Sequence, residues 1–332
     1  MKRVLSCVIF AALLLISVSR TNEIVIRKEV NRPYMLVQEL LRKPGPFDVE
    51  IFGSCHSYTS FLVPYYENMY GHSAYNMANP GETLPISYAR MAEQFRKSPP
   101  KVALLDIWGL MIYDTYDDTD EIIEKYGMIN LESVSLSKEK MEVCADYPEY
   151  DILELSFPLA HYKDRFVEGT LYRHDFSYSL ENMKQDFSDK DLTGNPCFWI
   201  EMAGRFDHQG SGAWPVHPQP EYTQMQSSAK GGSLPPEESL LKYVDKIIAL
   251  CQKYDVQLIT YRAPYISKTG EFQRANYMKK YFKERQIPFY DLEEEIPFDT
   301  EKDFYDIHHL AVPGMKKATH FLGERIREAL GE

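Results

Sequence analysis

The sequence predicts an α/β fold of three layers, with about five parallel strands between two layers of helices. Short apolar runs such as KVALLDI at 101–107 alternate with longer segments of helical periodicity, which is typical of strands buried on both faces by helices. The chain has 332 residues, of which 44% are hydrophobic, and this is enough for a sizeable core. Such a length fits one large domain with an insertion, or two domains.

The predicted elements alternate along the chain as such a sheet requires. Strands are predicted where short apolar runs are bounded by Gly, Pro or polar residues, at 48–53, 73–77, 101–107, 256–261 and 287–292. Helices are predicted where apolar residues recur at helical spacing, several of them after an opening proline, at 54–71, 85–97, 235–254, 270–285 and 313–329. Before the first strand, 22–46 is predicted to be a connector with a short helix.

A long segment at about 113–233 interrupts this alternation. It is rich in Asp, Tyr, Glu and Gly and shows no clean period. We expect an insertion or cap that carries substrate contacts, and the alternative is a solvated, partly mobile loop region. His161 and Arg165 lie in this segment and can reach over a site, although an ordinary polar face is the simpler interpretation. One domain is thus predicted at 22–332.

The N-terminus has the pattern of a secretory signal. Lys2 and Arg3 precede an apolar run at 4–19, and polar residues follow it. Residues 1–21 are therefore predicted to be a signal peptide or, if uncleaved, a membrane anchor, although the run is slightly short for a span of about 20 residues. A buried core helix is the alternative. The domain is predicted to be extracytoplasmic, either secreted or tethered by this segment.

The charge balance argues against one class of partner. Lys and Arg number 37 while Asp and Glu number 49, which gives a net charge of −12. Non-specific binding to nucleic acid or to an anionic membrane needs a basic surface. We therefore expect no nucleic-acid partner.

The cysteines suggest disulfides or a reactive thiol rather than a metal site. The five cysteines are Cys7, Cys55, Cys144, Cys197 and Cys251. Without Cys7, four remain, which is enough for two disulfides in an oxidising compartment. Neither a CxxC motif nor a His/Cys cluster with zinc spacing is present in the sequence, so no metal is expected.

The first block of candidate site residues is Gly53-Ser54-Cys55-His56, directly after the first predicted strand. A residue in a tight strand-to-helix turn exposes its side chain and places its own N–H at the start of a helix. Cys55 is therefore a candidate nucleophile; the alternatives are a disulfide, an inert relic of a lost site, or a shifted turn that makes Ser54 or Ser57 the nucleophile. His56 is expected to pack or hydrogen-bond rather than act as a second base.

The second block, at 76–83, follows the second predicted strand and contains Asn76, Asn79 and Gly81. Glycine allows a backbone N–H to approach a ligand closely because no Cβ intervenes. Gly81 is therefore a candidate donor to an oxyanion, and a plain turn glycine is the alternative. Asn76 and Asn79 are candidates for lining the site.

The third block, at 303–310, lies just before the last predicted helix and contains Asp306 and His309. A carboxylate three residues before a histidine can orient one ring nitrogen and leave the other as a general base. His309 is the candidate base and Asp306 its orienting residue. The neighbouring His308 is a rival base, and a packing or helix-capping histidine is the alternative.

Together these blocks resemble the SGNH/GDSL hydrolase superfamily, over about 47–110 and 235–330. The resemblance is to the subset similar to the D-alanyl-transfer protein of teichoic acid synthesis and the alginate O-acetylation proteins. It implies a flavodoxin-like α/β/α fold in which Cys55 takes the place of the nucleophilic serine. It also implies that Gly81, reached through the Asn76-x₄-Gly81 pattern, donates to the oxyanion, and that Asp306 and His309 complete the triad.

The sequence departs from this family after the third predicted strand. The family has Gly-x-Asn-Asp there, whereas this chain has Asp106-Ile107-Trp108-Gly109. Loss of such an asparagine donor costs about 10²–10³ in rate unless another group replaces it. Asp106 is expected to hold a turn, with a role in the site as the alternative. Cys55 is the second departure, because a thioester suits the passing on of an acyl group better than simple ester hydrolysis.

The resemblance, rather than the spacing of residues, implies the substrate class. We expect an acyltransferase or acyl esterase that acts outside the cytoplasm on a cell-envelope polymer or exopolysaccharide, without a cofactor. The implied partners are an acylated glycan or envelope polymer and a membrane-bound O-acyltransferase. The alternative is a non-catalytic SGNH-like protein that binds glycan or scaffolds an envelope O-acylation system.

Overall fold

A computed structural model of the chain describes residues 2–25, 45–110, 119–157, 232–265 and 269–332. The strands within these ranges are β1 (Val49–Phe52), β2 (Ala74–Asn76), β3 (Val102–Asp106), β4 (Gln257–Arg262) and β5 (Phe289–Asp291). The α-helices are α1 (Lys2–Val25), α2 (Cys55–Tyr58), α3 (Val63–Tyr70), α4 (Leu84–Lys97), α5 (Thr119–Glu132), α6 (Lys138–Asp146), α7 (Ile152–Ser156), α8 (Glu238–Lys253), α9 (Thr269–Glu284), α10 (Leu292–Glu295) and α11 (Val312–Leu330).

All five strands lie in one parallel sheet with the order β2-β1-β3-β4-β5. Ile51 of β1 pairs with Asn76 on one side and with Leu104 on the other. This is the flavodoxin-like order of doubly wound sheets, which place their sites beyond the carboxyl ends of the strands. The predicted α/β fold with five parallel strands is confirmed. Four strands are two or three residues shorter than the apolar runs that predicted them, and β4 has the predicted length but starts one residue later.

Side chains that alternate along the strands build a separate core on each face of the sheet. Phe52 and Leu105 belong to one cluster, which the apolar faces of α4 and α8 cover. Ile51 and Leu104 belong to the other cluster, together with buried residues of α3 and α11. Since successive strand residues point to opposite faces, these two cores define the predicted three layers.

The first part of the inserted segment is helical, contrary to its lack of a clean period. Helices α5, α6 and α7 follow β3, and Ser137 and Asp151 cap the last two by accepting backbone N–H groups. Leu131, Val143 and Leu155 are buried in the same cluster as α4. Two of these helices, α6 and α7, have only nine and five residues, and α5 contains Gly127 in its interior, so none establishes a clear helical pattern in the sequence. The rest of the segment, with His161, Arg165 and Cys197, lies outside the described residues.

Helix α1 covers the apolar run at the N-terminus and continues to Val25. The large apolar side chains from Val4 to Ile16 are exposed. None of the helices in the described ranges combines the length and the apolar character needed to cross a membrane.

Candidate active site

Gly53 turns the chain sharply at the carboxyl end of β1. Its φ is +129°, and a Cβ built on it would lie 2.5 Å from Ser57 Oγ and 3.0 Å from the Cβ of Asp106. Only glycine accepts this conformation and this close approach. Ser54 then caps α2, because its Oγ accepts a hydrogen bond from the backbone N–H of His56. Cys55 is therefore the first residue of α2, at the edge of the sheet.

The Cys55 side chain is partly exposed and lies among small and aromatic groups. It packs against the cluster of Tyr58 and Ala78, as Tyr305 also does, and its Sγ lies 3.9 Å from His56 Nδ1. It is a free thiol, as are Cys144 and Cys251. The alternative of a disulfide at Cys55 is thus wrong. A partly exposed thiol beside imidazoles has the surroundings of a reactive cysteine rather than a structural one.

The loop before α11 is closed on itself by backbone hydrogen bonds. Phe304 and Leu310 form an antiparallel bridge, and the Tyr305 N–H donates to the His309 carbonyl at 2.9 Å. Ala311 N–H donates to the Asp303 carbonyl at 2.8 Å. The loop is therefore a fixed turn that presents the side chains at its tip to the carboxyl edge of the sheet.

Asp306 holds the ring of His309 within this turn. Its two carboxylate oxygens lie 3.0 and 2.9 Å from His309 Nδ1. The same carboxylate accepts the backbone N–H groups of His308 and His309 at 2.7 and 2.8 Å. Burial alone would raise the pKa of Asp306, but the hydrogen bond and charge of His309 lower it below 3.8. An ionised Asp306 accepts Nδ1–H, which leaves Nε2 of His309 for another partner.

Cys55 is the nearby thiol whose charge acts on the His309 ring. Burial, the largest single effect, lowers the pKa of His309, but the charge of Cys55 and hydrogen bonds with Asp306 and Cys55 raise it from 6.5 to about 10. The structure therefore brings together the three residues predicted as nucleophile, base and orienting residue. Their order along the chain is Cys55, Asp306, His309.

His308 occupies a different environment from its neighbour. Its ring stacks on Tyr265 with centroids 6.1 Å apart, while Asp306 receives its backbone N–H rather than its ring. Burial, together with the charge of His309, lowers the pKa of His308 to about 4. The geometry favours His309 over His308 as the base.

His56 is buried in an aromatic pocket behind the sulfur. Its ring centroid lies 4.8 Å from the rings of both Trp108 and Tyr265, and it stacks on His309 at 5.5 Å. Burial, and then the charges of His309 and His308, hold its pKa well below 6.5. His56 is therefore neutral, and it packs and hydrogen-bonds as the sequence predicts.

Ser54 and Asp106 connect His56 to the interior of the sheet. Ser54 Oγ lies 3.0 Å from His56 Nδ1 and donates to Asp106 Oδ2 at 3.2 Å. The Ala263 N–H approaches the other oxygen of Asp106 at 3.4 Å. Burial raises the pKa of Asp106 from 3.8 to about 7, although these hydrogen bonds lower it. Asp106 does hold a turn, and the hydroxyl of Ser54 also connects it to His56.

The serine hydroxyls on either side of Cys55 are committed to other partners. Ser54 bonds to Asp106, and Ser57 Oγ donates to the Phe52 carbonyl at 3.0 Å. Both residues are fully buried. The sulfur of Cys55, rather than either hydroxyl, is the group that interacts with the triad histidine.

The asparagines of the second block support the loop instead of lining the site. Asn76 Nδ2 donates to the Ser57 carbonyl at 3.3 Å, and the Asn79 N–H donates to the Gly53 carbonyl at 3.1 Å. Gly81 has a φ of +57° and packs closely against Tyr126. A Cβ built on Gly81 would lie 2.9 Å from the Cβ of Tyr126. No contact in the described ranges joins Gly81 to Cys55, so its role as an oxyanion donor stays a prediction.

Several residues around the site were not predicted as parts of it. Tyr265 and Arg262 come from the end of β4, where Arg262 is buried and pairs with Asp291 and Glu293 at 2.9 and 2.8 Å. The Arg262 guanidinium also lies 5.7 Å from the Tyr265 ring. The rule that sites lie at strand ends would have pointed to Tyr265. In the described part of the chain, no group of three or more His, Cys, Asp or Glu residues is arranged to hold a metal ion.

Comparisons with known proteins assign no family to the chain. No protein-family model matches the sequence, and no curated protein matches it either. The chemistry proposed for the site therefore depends on the residues that the fold brings together there.

Proposed function

We propose that the protein is an SGNH-like enzyme that transfers or hydrolyses acyl groups through a thioester on Cys55. The observation that carries this proposal is the Asp306–His309 pair, with Asp306 Oδ2 2.9 Å from His309 Nδ1. The ring of His309 stacks on His56, whose Nδ1 lies 3.9 Å from Cys55 Sγ. Nucleophile, base and orienting carboxylate in this arrangement form the functional unit of acyl-transfer enzymes on unrelated folds.

The first half of the reaction forms the acyl-enzyme. His309 Nε2 takes the proton of the Cys55 thiol, and the sulfur attacks the acyl carbonyl to give a tetrahedral oxyanion. As the oxyanion collapses, the bond to the leaving oxygen breaks, and His309 returns its proton to that oxygen. Asp306 keeps the imidazole oriented and stabilises its positive charge throughout.

The oxyanion needs hydrogen-bond donors near the sulfur. We propose the backbone N–H groups of Cys55 and Gly81 for this role. In the described residues the Cys55 N–H makes no hydrogen bond, so it is available to an incoming oxygen. Removal of such a donor typically slows acyl transfer by about 10²–10³.

The second half of the reaction resolves the thioester. A sugar hydroxyl of an envelope polymer or exopolysaccharide, or water, loses its proton to His309 and attacks the carbonyl, and the thiolate of Cys55 leaves. We propose that this occurs outside the cytoplasm, with the N-terminal segment as signal or anchor. A membrane-bound O-acyltransferase is the proposed source of the acyl group. These points rest on the family resemblance.

The proposal is tested by acyl transfer from p-nitrophenyl acetate. We expect a burst of p-nitrophenol from the wild-type protein, and no burst from Cys55→Ala or His309→Ala. Cys144→Ala is the matched control, because Cys144 is also a partly exposed free thiol but lies outside the site. Circular dichroism and thermal unfolding verify that each variant is folded.

A folded wild-type protein without a burst, or a burst that survives Cys55→Ala, would refute the enzyme assignment. Retained binding of an envelope glycan without turnover would then favour the alternative, a non-catalytic SGNH-like binding or scaffolding protein. Two departures from the family favour this alternative: the missing asparagine at the third block, where the chain has Asp106-Ile107-Trp108-Gly109, and the cysteine at the nucleophile position.

A further inference from the structure

We propose that His56 is a second imidazole on the reacting sulfur, and that Ser54 and Asp106 fix its proton on Nδ1, where it serves as a hydrogen-bond donor to the thiolate of Cys55. This inference rests on the proposed function in one respect: it takes Cys55 as the nucleophile. The hydrogen bonds from Asp106 through Ser54 to His56 can be tested without any acyl substrate.

The geometry is a continuous chain from the sheet to the sulfur. Asp106 Oδ2 lies 3.2 Å from Ser54 Oγ, and Ser54 Oγ lies 3.0 Å from His56 Nδ1. The same Nδ1 lies 3.9 Å from Cys55 Sγ. Ser54, His56 and Asp106 are at most 2% exposed, so water does not compete for these contacts.

The hydrogens of this chain can be assigned by counting donors and acceptors at Ser54. A hydroxyl has one proton to donate and two lone pairs to accept with. When Asp106 is ionised, the Ser54 proton must go to Asp106, because a carboxylate only accepts. Ser54 Oγ then accepts from the backbone N–H of His56 at 3.3 Å, and its remaining lone pair accepts from His56 Nδ1–H.

The state of His56 agrees with this assignment. Burial and the neighbouring charges keep the ring neutral, so it has a single proton. Its Nε2 is buried and has no hydrogen-bond partner in the described residues. Placing the one proton on Nδ1 leaves only a lone pair unsatisfied at Nε2, whereas the other tautomer would bury an unpaired N–H.

The consequence for the sulfur is that the Nδ1–H of His56, which donates to Ser54 Oγ at 3.0 Å, is shared with Cys55 Sγ at 3.9 Å as a bifurcated donor. When His309 takes the thiol proton, the resulting thiolate can accept this shared N–H of His56 as well as interact with the imidazolium of His309. Hydrogen bonds to a charged acceptor are about twice as strong as neutral ones. We therefore expect His56 to increase the thiolate fraction and to hold the sulfur towards the substrate.

The charge of Asp106 determines which group donates in each hydrogen bond between Asp106, Ser54 and His56. A protonated Asp106 would donate to Ser54, Ser54 would donate to His56 Nδ1, and the His56 proton would move to Nε2. Asp106→Asn imitates this reversed state, because the amide oxygen is retained by the Ala263 N–H and the amide nitrogen faces Ser54. The titratable groups that face His56 or Asp106 in the described residues are Cys55, Tyr261, Arg262, Tyr265, His308 and His309.

The experiment measures the rate at which iodoacetamide alkylates Cys55 as a function of pH. The mass of the peptide that contains Cys55 reports the extent of alkylation. We expect the midpoint of the profile to move upward by about one pH unit in Asp106→Asn and in His56→Leu, since one charged hydrogen bond is lost. His56→Asn keeps an N–H near the position of Nδ1 and should remain closer to the wild type.

Glu50→Gln is the matched control, because it also changes a buried carboxylate of the sheet to an amide. Glu50 bonds to Gln94 and not to the hydrogen-bonded residues Asp106, Ser54 and His56. Its profile should coincide with the wild type. If all variants, including Asp106→Asn, share the wild-type midpoint, the inference is wrong. A shift in Glu50→Gln as large as that in Asp106→Asn would also overturn it.

A measurement on the wild-type protein covers the case in which variants fail to fold. Long-range ¹H–¹⁵N NMR of histidine-labelled protein reports which ring nitrogen of His56 is protonated. A proton on Nδ1 supports the inference, and a proton on Nε2 at a pH where Asp106 is ionised overturns it. Acyl transfer that persists with an Nε2 proton would leave the proposed function intact, whereas an Nδ1 proton without acyl transfer would refute only the function.

Discussion

At the scale of single residues, Asp306 has the largest influence on the chemistry assigned to the site. Its carboxylate binds both the backbone and the ring of the turn that carries His309. In Asp306→Asn the amide oxygen can keep the backbone N–H groups, which turns the amide nitrogen towards His309 Nδ1. Nδ1 must then accept, so the ring proton moves to Nε2 and the base is lost at the nitrogen that faces Cys55.

We expect Asp306→Asn to lower kcat/KM for acyl transfer by about 10²–10⁴ because it removes general base catalysis. The fold should be retained, and thermal unfolding measures this. Asp299→Asn is the control, since Asp299 pairs with Lys302 on the surface at 2.9 Å. Equal rates for Asp306→Asn and the wild type would show that the Asp306–His309 contact does not serve catalysis.

Glu50 gives the sheet a pH dependence that is independent of the site. It is fully buried in β1 and bonds to Gln94 Nε2 at 2.9 Å. Burial raises its pKa from 4.5 to about 8, although the bond to Gln94 lowers it. Because the folded state binds this proton more tightly, Glu50 stabilises the fold below pH 4.5, and this contribution is lost as the pH rises towards about 8.

Glu50→Gln should therefore flatten the decline in stability between pH 4.5 and 8. The free energy of unfolding, from urea titrations at both ends of this range, measures the difference. A smaller decline remains in the variant, because burial raises the pKa of Asp106 from 3.8 to about 7 in the same direction. Identical pH profiles for variant and wild type would mean that Glu50 is ionised in the folded protein.

At the scale of elements, the loop between β2 and α4 is held by a buried ion pair. Arg90 Nε of α4 lies 2.8 Å from Glu82 Oε2, and the same carboxylate accepts from Asn79 and Ser87 at 2.9 Å. The network joins the loop that carries Gly81 to the helix behind it. A buried charge that loses its partner costs several kcal/mol, whereas exposed pairs contribute little.

Arg90→Leu should destabilise the fold by about 3–5 kcal/mol, because Glu82 is left buried without its counter-charge. Arg96→Leu on the same helix is the control: Arg96 pairs with Glu139 at 2.7 Å but is 39% exposed, so its loss should cost at most about 1 kcal/mol. Urea unfolding of the two variants measures both. Comparable losses would contradict the proposed importance of the buried network.

The elements that could be predicted from the sequence are those with a strong local pattern. Apolar runs marked all five strands, and opening prolines marked α4 and α11. Cys55, Asp306 and His309 were also predictable, because strand ends and the Asp-x-x-His spacing are local features. Helices α5–α7 were missed, since α6 and α7 are too short to establish a period and Gly127 in the interior of α5 disfavours a helix prediction.

The chain of Asp106, Ser54 and His56 was not predictable as a unit. Its members lie on β3 and after β1, and only the register of the sheet brings them together. The same holds for Trp108 and Tyr265, which reach His56 from two different loops. Contacts of this kind depend on the directions of individual side chains, which the periodicity of the sequence does not predict.

At the scale of the whole molecule, the parallel sheet brings residues 254 positions apart into one site. Cys55 follows β1, which lies beside the central strand β3, and His309 comes from the closed loop before α11. The two cores on either side of the sheet fix this edge by packing α4 and α8 on one face and α3 and α11 on the other. The proposed function depends on this convergence.

The most direct test of that convergence is to map the acyl group after reaction with p-nitrophenyl acetate and rapid acid quench. We predict one acetyl group on the peptide that contains Cys55, removed by neutral hydroxylamine as a thioester should be, and absent from folded His309→Ala. An acetyl group found on another residue, or one that forms equally well without His309, would contradict the account.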